Sequence, residues 1–285
     1  MAETSDGGPL SGQEIDDRIG TGIDFNEATA RALERMYQAP EVALQRAIVL
    51  HSMALRAGEV VLDVGPGPGF LATNMAAIVG ASGVVSGIDQ SEPMVALART
   101  RCQDQDWVDI QVGEATDLPY QSGIFDAAVS TQVYEYVDDI EIALTELCRV
   151  LRPGGRAFIV DTDWSSIVWN NSDPVRMQRV LEAWDQHLAD PHLPATLTPK
   201  LKQAGFQVVR RDVHPMFNPE YSPDSYSAGI LEGIRTFVPG RNGITTEEAD
   251  AWAADLRALG EAGEYFFSVN RYLFQAIKPG LPSQG

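Results

Sequence analysis

The segment at residues 61–70, with the sequence VLDVGPGPGF, constrains the fold more than any other part of the chain. An apolar run leads into three glycines at alternate positions, and a second apolar stretch with helical spacing follows. Glycine lets the backbone turn tightly and approach a ligand closely, and the N-terminus of the next helix offers free N–H groups to an anionic group. The segment therefore predicts a buried strand, a glycine turn and a helix.

Short apolar runs and helical stretches alternate beyond this turn, which predicts an α/β fold whose parallel sheet is covered on both faces. We expect seven strands, at residues 60–64, 84–88, 108–112, 125–130, 156–161, 206–211 and 272–277. We expect helices at residues 26–38, 42–55, 70–79, 93–101, 138–151 and 195–204. The sheet should be mostly parallel.

Two insertions interrupt the alternation, at residues 163–194 and 214–263, and each contains a helix start signal. Both leave the sheet near the carboxyl ends of strands, where open α/β sheets bind ligands. We expect helical lids there, and a helical cover at residues 25–57. One domain should therefore occupy residues 25–278, between a disordered tail at residues 1–24 and a short tail at residues 279–285.

The composition argues against several classes of protein. The chain has 40 Asp and Glu against 21 Lys and Arg, a formal net charge of −19, which would repel nucleic acid. No apolar run approaches the roughly 18 residues of a membrane span, and no signal peptide is recognisable at the N-terminus. Cys102 and Cys148 lack the number and spacing of a disulfide framework or a metal site. We expect a cytoplasmic protein without a bound metal.

A second ligand signal is Asp89, which directly follows the second predicted strand. An acid at this position can hold both hydroxyls of a ribose, in a dinucleotide or in S-adenosylmethionine. The dinucleotide fingerprint needs a further glycine where Phe70 stands, and the chain has no recognisable Tyr-x-x-x-Lys pair. A nicotinamide-dependent oxidoreductase is therefore the weaker alternative.

Further motifs follow in order: GEATDLP at residues 113–119, FDAAVST at 125–131 and VLRPGG at 150–155. With them, residues 59–161 resemble the class I S-adenosylmethionine-dependent methyltransferases, in particular the branch of the ubiquinone and menaquinone biosynthesis enzymes. The resemblance implies a Rossmann-like fold, S-adenosylmethionine as the cofactor, and metal-independent methyl transfer to a small organic acceptor. A non-catalytic protein that binds S-adenosylmethionine is a further alternative.

The resemblance also implies roles for individual residues. Asp63, Gly65 and Gly67 would surround the methionine moiety, although Asp63 could instead brace the turn by accepting backbone N–H bonds. Asp89 would hold the ribose, and Thr131 would lie near the sulfonium. The adenine would be contacted by Gln90, Met94, Glu114 and Ala115, with Glu114 standing where the family usually has the shorter Asp. Tyr37 and Arg46 would close over the cofactor.

Catalysis is less apparent in the sequence, because positioning and water exclusion supply much of the rate of an in-line methyl transfer. An oxygen or nitrogen acceptor can also need a general base. The candidates are Asp161, Asp163, His187, His192 and His214. Of these we choose His187 and Asp163, because His187 shares a helical face with Trp184 in the first insertion.

The insertions are rich in aromatic residues, which suits an apolar or aromatic acceptor but also serves to anchor a helix on a sheet. Three of the five tryptophans lie in the first insertion, at positions 164, 169 and 184. We predict that Trp164, Phe217 and Tyr221 line the acceptor pocket.

Overall fold

The computed structural model describes residues 22–280. The predicted terminal tails, at residues 1–24 and 279–285, lie almost entirely outside the described residues. Within residues 22–280, no helix combines the length and the apolar character that a membrane span requires.

Seven strands form one sheet, as predicted. They are β1 (Val60–Val64), β2 (Val84–Asp89), β3 (Val108–Val112), β4 (Phe125–Thr131), β5 (Leu151–Trp169), β6 (Gln207–Asn218) and β7 (Phe267–Ile277). Their order across the sheet is β3-β2-β1-β4-β5-β7-β6. The first five are parallel, and β7 runs antiparallel to both of its neighbours. The order reverses between β1 and β4, the point at which sheets of this kind bind ligands.

The helices are α1 (Glu27–Met36), α2 (Pro40–Met53), α3 (Phe70–Val79), α4 (Glu92–Arg101), α5 (Ile140–Val150), α6 (Pro174–Trp184), α7 (Leu193–Gln203), α8 (Tyr226–Phe237) and α9 (Thr246–Glu261). Side-chain caps fix where several of them begin. The Asn26 side chain accepts the N–H groups of Ala28 and Thr29, and Ser91 accepts that of Met94. These caps satisfy N–H groups that have no partner within the helix.

The last three strands are longer than the sequence predicts. β5 continues to Trp169, β6 continues to Asn218, and β7 begins already at Phe267. The predicted insertions therefore begin as strand and continue as the predicted helices. The physical reason is pairing between distant segments, because Phe267 and Ser268 of β7 bond on both sides to the extended ends of β5 and β6.

Three hydrophobic clusters hold these layers together. One covers a face of the sheet with α5 and α7, and another covers the opposite face with α2, α3 and α4. The third cluster lies among the long strand ends, α6, α8 and α9, and contains Trp169, Trp184 and Trp252. The extra helices thus have an apolar core of their own, beside the carboxyl ends of the parallel strands.

Candidate functional site

A cavity of about 350 Å³ lies at the carboxyl ends of β1 and β2. Ten of the residues predicted to bind a cofactor line it: Tyr37, Arg46, Gly65, Gly67, Asp89, Gln90, Met94, Glu114, Ala115 and Thr131. Asp63 is the one predicted cofactor residue that does not line this cavity. Residues from several separate strands, helices and turns therefore converge on one cavity.

The glycine turn forms the floor of this first cavity. Gly65 has a φ of 73°, and a Cβ atom added there would lie 2.2 Å from Cγ2 of Val133. A Cβ atom at Gly69 would lie 2.8 Å from the Cα atom of Ala98 in α4. The turn therefore requires glycine for its backbone conformation and for close packing.

Asp89 joins the glycine turn to the end of β2. One carboxylate oxygen accepts the N–H of Gly67 at 3.0 Å, and the other accepts the N–H of Ser91 at 3.0 Å. Burial raises the pKa of this carboxyl group, while the two backbone N–H groups oppose the rise. Each oxygen keeps a further lone pair for a ligand hydroxyl.

A second cavity, of about 960 Å³, adjoins the first. The two cavities share five wall residues, which we call the junction: Phe25, Tyr37, Gln132, Tyr136 and Arg271. Beyond the junction the second cavity is lined largely by α1, α8 and aromatic side chains, among them Trp164, Trp184, Tyr226 and Phe237. A ligand in one cavity can therefore meet a ligand in the other at the junction.

Known proteins resemble this chain both in sequence and in fold. The family profile described as a methyltransferase domain matches residues 62–159. An uncharacterised 37.1 kDa protein in transposon TN4556 of Streptomyces fradiae is 37% identical over 181 residues, which are 64% of this chain and 49% of that protein. The 2-phytyl-1,4-naphtoquinone methyltransferase of Synechococcus elongatus is 40% identical over 114 residues, which are 38% of this chain and 48% of that enzyme. The chain thus spans about half the length of these relatives.

Residues 62–159 form a methyltransferase domain. The resemblance to the quinone-biosynthesis branch is confirmed for this part of the chain. A putative methyltransferase from Bacillus halodurans has the same fold, with a TM-score of 0.61 at 21% identity over 83% of this chain and 99% of that one. The fold prediction is confirmed.

Asp63 of the methyltransferase domain ends up in an unusual environment. Its side chain is buried, and neither carboxylate oxygen has a hydrogen-bond partner among residues 22–280. Burial, with a further contribution from the charge of Asp89, raises the pKa of Asp63 to about 8. The bracing bonds to the glycine turn, one of the two alternatives for Asp63, are therefore absent among the described residues.

His187 lines the second cavity, and aromatic rings surround its imidazole. Its ring stacks on that of Trp184 at 3.7 Å between centroids, and its Nδ1 contacts the carbonyl oxygen of the same residue. Since a carbonyl can only accept, Nδ1 carries the proton and Nε2 keeps a lone pair without a partner in the described part of the chain. Burial lowers the pKa of His187 to about 4, so the imidazole is neutral at pH 7.

The structure places Asp163 away from both cavities, which corrects its assignment as a catalytic residue. Its Oδ1 accepts the N–H and the hydroxyl of Ser165, at 3.1 and 2.7 Å, and lies 3.2 Å from Nδ1 of His192. The physical reason is the continuation of β5, which puts Asp163 at an irregularity inside the strand instead of at its end. His192 and His214 likewise line neither cavity.

Phe217 and Tyr221 are also placed away from the predicted acceptor pocket. The Phe217 side chain is 45% exposed and contacts the Phe266 ring at 5.4 Å between centroids. Tyr221 packs on the Tyr265 ring at 5.5 Å, in the cluster around the extra helices. Because β6 continues to Asn218, Phe217 belongs to an edge strand, so of the three predicted pocket residues only Trp164 lines the second cavity.

Two charged residues of the site were missed by sequence reasoning. Glu135 lies in a short helical turn after β4, lines the second cavity and accepts the N–H of Thr162 at 3.2 Å. Burial raises the pKa of Glu135 to about 7, against the opposing charge of Arg271. The sequence offered a signal for Glu135, because an acid within the apolar segment VYEYV is unusual. It offered no signal for Arg271, which directly precedes the predicted last strand.

Asp89→Asn should weaken the binding of S-adenosylhomocysteine about 30-fold, which corresponds to about 2 kcal/mol, because charge-assisted bonds to the ribose hydroxyls are lost. Asparagine is used because alanine would also remove the acceptor for the Gly67 N–H. Isothermal titration calorimetry measures the effect, with Asp109→Asn on the exposed side of β3 as the matched control. If Asp89→Asn binds S-adenosylhomocysteine as tightly as the wild type does, the ribose is held by other residues.

Proposed function

We propose that this chain transfers a methyl group from S-adenosylmethionine to a small organic acceptor, without a metal ion and without nucleic acid as a substrate. The observation that supports this proposal is the junction, where the cofactor cavity meets a larger cavity that has several aromatic side chains in its wall. Methyl transfer requires the donor and the acceptor in line and in contact, and two adjoining cavities provide that arrangement.

The first cavity suits S-adenosylmethionine in shape and in chemistry. The glycine turn leaves room for close backbone approach, Asp89 offers lone pairs to the ribose, and the unpartnered Asp63 complements a positive group. Gln90, Met94, Glu114 and Ala115 would contact the adenine, and Thr131 would lie near the sulfonium. The cofactor supplies an electrophilic methyl group, and these residues bind and orient it.

The N-terminal segment serves as a cover that excludes water from the junction. The carbonyl oxygen of Phe25 accepts the Ser91 hydroxyl at 3.0 Å, and Glu34 of α1 pairs with Arg101 of α4 at 2.6 Å. These contacts hold α1 over the edge of the sheet, where Tyr37 and Arg46 line the first cavity. Exclusion of water protects the reacting groups and strengthens electrostatic interactions between them.

Glu135 is the residue we propose as the general base, in place of Asp163. A base works best when its pKa is near the working pH, and Glu135 has a pKa of about 7 against about 4 for His187. Both residues line the second cavity. His187, with its fixed tautomer, would instead position the acceptor through the lone pair on Nε2.

Trp164→Ala should impair turnover at least tenfold while changing the affinity for S-adenosylhomocysteine less than about twofold, because Trp164 lines only the second cavity. Turnover is measured as acceptor-dependent formation of S-adenosylhomocysteine. Phe217→Ala is the matched control, since this aromatic ring lies outside both cavities and its loss should leave turnover unchanged. Equal losses in both variants would contradict the placement of the acceptor.

The proposed function is tested with S-adenosylmethionine labelled in its methyl group. The wild-type protein is incubated with the low-molecular-weight fraction of a cell extract, and the labelled products are separated by chromatography. A labelled small molecule that disappears with Asp89→Asn supports the proposal. Cofactor binding without any labelled product would favour the non-catalytic alternative, and binding of NAD instead would favour the oxidoreductase.

A further inference from the structure

We infer that Arg271 selects acceptors that present an oxyanion at the junction, as a carboxylate, a phenolate or an enolate attached to an apolar body. This inference rests on the proposed function, because it assigns the chemistry of the molecule in the second cavity. It makes Arg271 the residue that distinguishes acidic acceptors from amines.

Arg271 is a buried cation that faces both cavities. It lies on β7 opposite Thr162 of β5, and its side chain is only 3% exposed. Nε donates to the hydroxyl of Thr162 at 3.3 Å, one Nη donates to the hydroxyl of Tyr226 at 3.0 Å, and the other donates to Oε1 of Gln45. A guanidinium has five N–H groups, so two have no hydrogen-bond acceptor among residues 22–280.

The charge of Arg271 is not balanced by a direct ion pair. All three of its hydrogen-bond acceptors are neutral, and within residues 22–280 no carboxylate oxygen pairs with it. The neighbouring acids are Glu135 and Asp161, whose pKa values are raised by burial, and neither accepts a hydrogen bond from the guanidinium. A buried cation without a close counter-ion is costly, and an anion bound at the junction would offset that cost.

The reaction itself favours the same kind of acceptor. An electron pair of the oxyanion, on oxygen or on the carbon of an enolate, forms the new bond to the methyl carbon. The bond between that carbon and sulfur breaks, its electron pair stays on sulfur, and both the sulfonium and the oxyanion become neutral. An amine would instead become an ammonium ion beside Arg271, where two positive charges repel each other strongly because little water screens them.

The residues that line the second cavity beyond the junction determine which apolar group the acceptor can carry. Trp164, Trp184 and Phe237 line the second cavity beyond the junction. The other charged side chains in this cavity, Asp24, Arg35, Asp224 and Glu232, are exposed to solvent, which screens them. An apolar or aromatic body with one acidic group therefore fits the cavity.

Three probes of matched shape test the inference: a biphenyl carboxylate, a hydroxybiphenyl and an aminomethyl biphenyl. Their binding is measured by calorimetry on the full chain saturated with S-adenosylhomocysteine. The carboxylate, or the hydroxybiphenyl above its own pKa, should bind at least about tenfold more tightly than the amine. Which of the two anions binds more tightly distinguishes a carboxylic acid from a phenol or enol as the acceptor.

Variants connect this preference to the guanidinium. Arg271→Gln should abolish the preference for the anion, Arg271→Lys should keep part of it, and Arg211→Gln, on the exposed edge strand β6, should leave it unchanged. Wild-type protein that binds the amine as tightly as both anions overturns the inference, whether or not the Arg271 variants fold. Absence of S-adenosylhomocysteine binding would instead overturn the proposed function, so the two failures are distinguishable.

Discussion

Gly65→Ala should abolish measurable binding of S-adenosylhomocysteine and lower the free energy of unfolding by about 3–4 kcal/mol. Two costs add up at this position. A residue with a Cβ atom pays roughly 1–2 kcal/mol for a φ of 73°, and forcing that atom to within 2.2 Å of Val133 adds the cost of overpacking. Denaturant unfolding measures the stability, and calorimetry measures the binding.

Two further variants separate the cost of the backbone conformation from the cost of overpacking. Gly263 has the same φ of 73° and no heavy atom within 4 Å of an added Cβ, so Gly263→Ala should lose only the backbone part, about 1–2 kcal/mol. The double variant Gly65→Ala, Val133→Ala should recover stability relative to Gly65→Ala, because the clashing methyl group is removed. Normal cofactor binding by Gly65→Ala would contradict the assignment of the turn to the cofactor.

Asp63→Asn should stabilise the ligand-free protein by an amount that increases by about 4 kcal/mol between pH 5 and pH 8. In the folded protein the pKa of Asp63 is raised to about 8, while in the unfolded chain it returns to the ordinary value of 3.8. The stability that this carboxyl group contributes is therefore fully present below pH 3.8 and is lost as the pH rises through about 8. Asparagine has no such ionisation.

Chemical denaturation at several pH values measures this difference in the free energy of unfolding. Asp109→Asn, on the exposed side of β3, is the control and should differ from the wild type by a constant amount. Asp63→Asn should also weaken cofactor binding, because the partner for a positive group is lost. A stability difference between Asp63→Asn and the wild type that does not change with pH would show that Asp63 is ionised in the folded protein.

Much of the lining of the first cavity could be predicted from the sequence, because many of its residues follow directly on predicted strands. Gly65 follows β1, Asp89 ends β2, Glu114 follows β3 and Thr131 ends β4. Parallel strands bring their carboxyl ends to one edge, so their order along the chain was enough to place these residues together. Asp63 was also predicted to bind the cofactor, but it lies two residues before Gly65 within β1, and its side chain is buried in the core.

The lining of the second cavity could not be predicted, because it depends on contacts between distant parts of the chain. Arg271 reaches the junction through β7, which pairs it with Thr162, 109 residues earlier. The same pairing extends β5 and β6 and leaves Asp163 and Phe217 away from the cavities. Periodicity predicts the helices that begin at the Asp173 and Thr245 caps, but it carries no information about which strand ends pair.

A calorimetric comparison of S-adenosylhomocysteine with NAD tests whether the first cavity binds S-adenosylmethionine. Wild-type protein should bind S-adenosylhomocysteine with an affinity of roughly micromolar order, release no heat with NAD, and lose about 30-fold in affinity for S-adenosylhomocysteine in Asp89→Asn. Binding of NAD together with no binding of S-adenosylhomocysteine would contradict the assignment of the first cavity to S-adenosylmethionine.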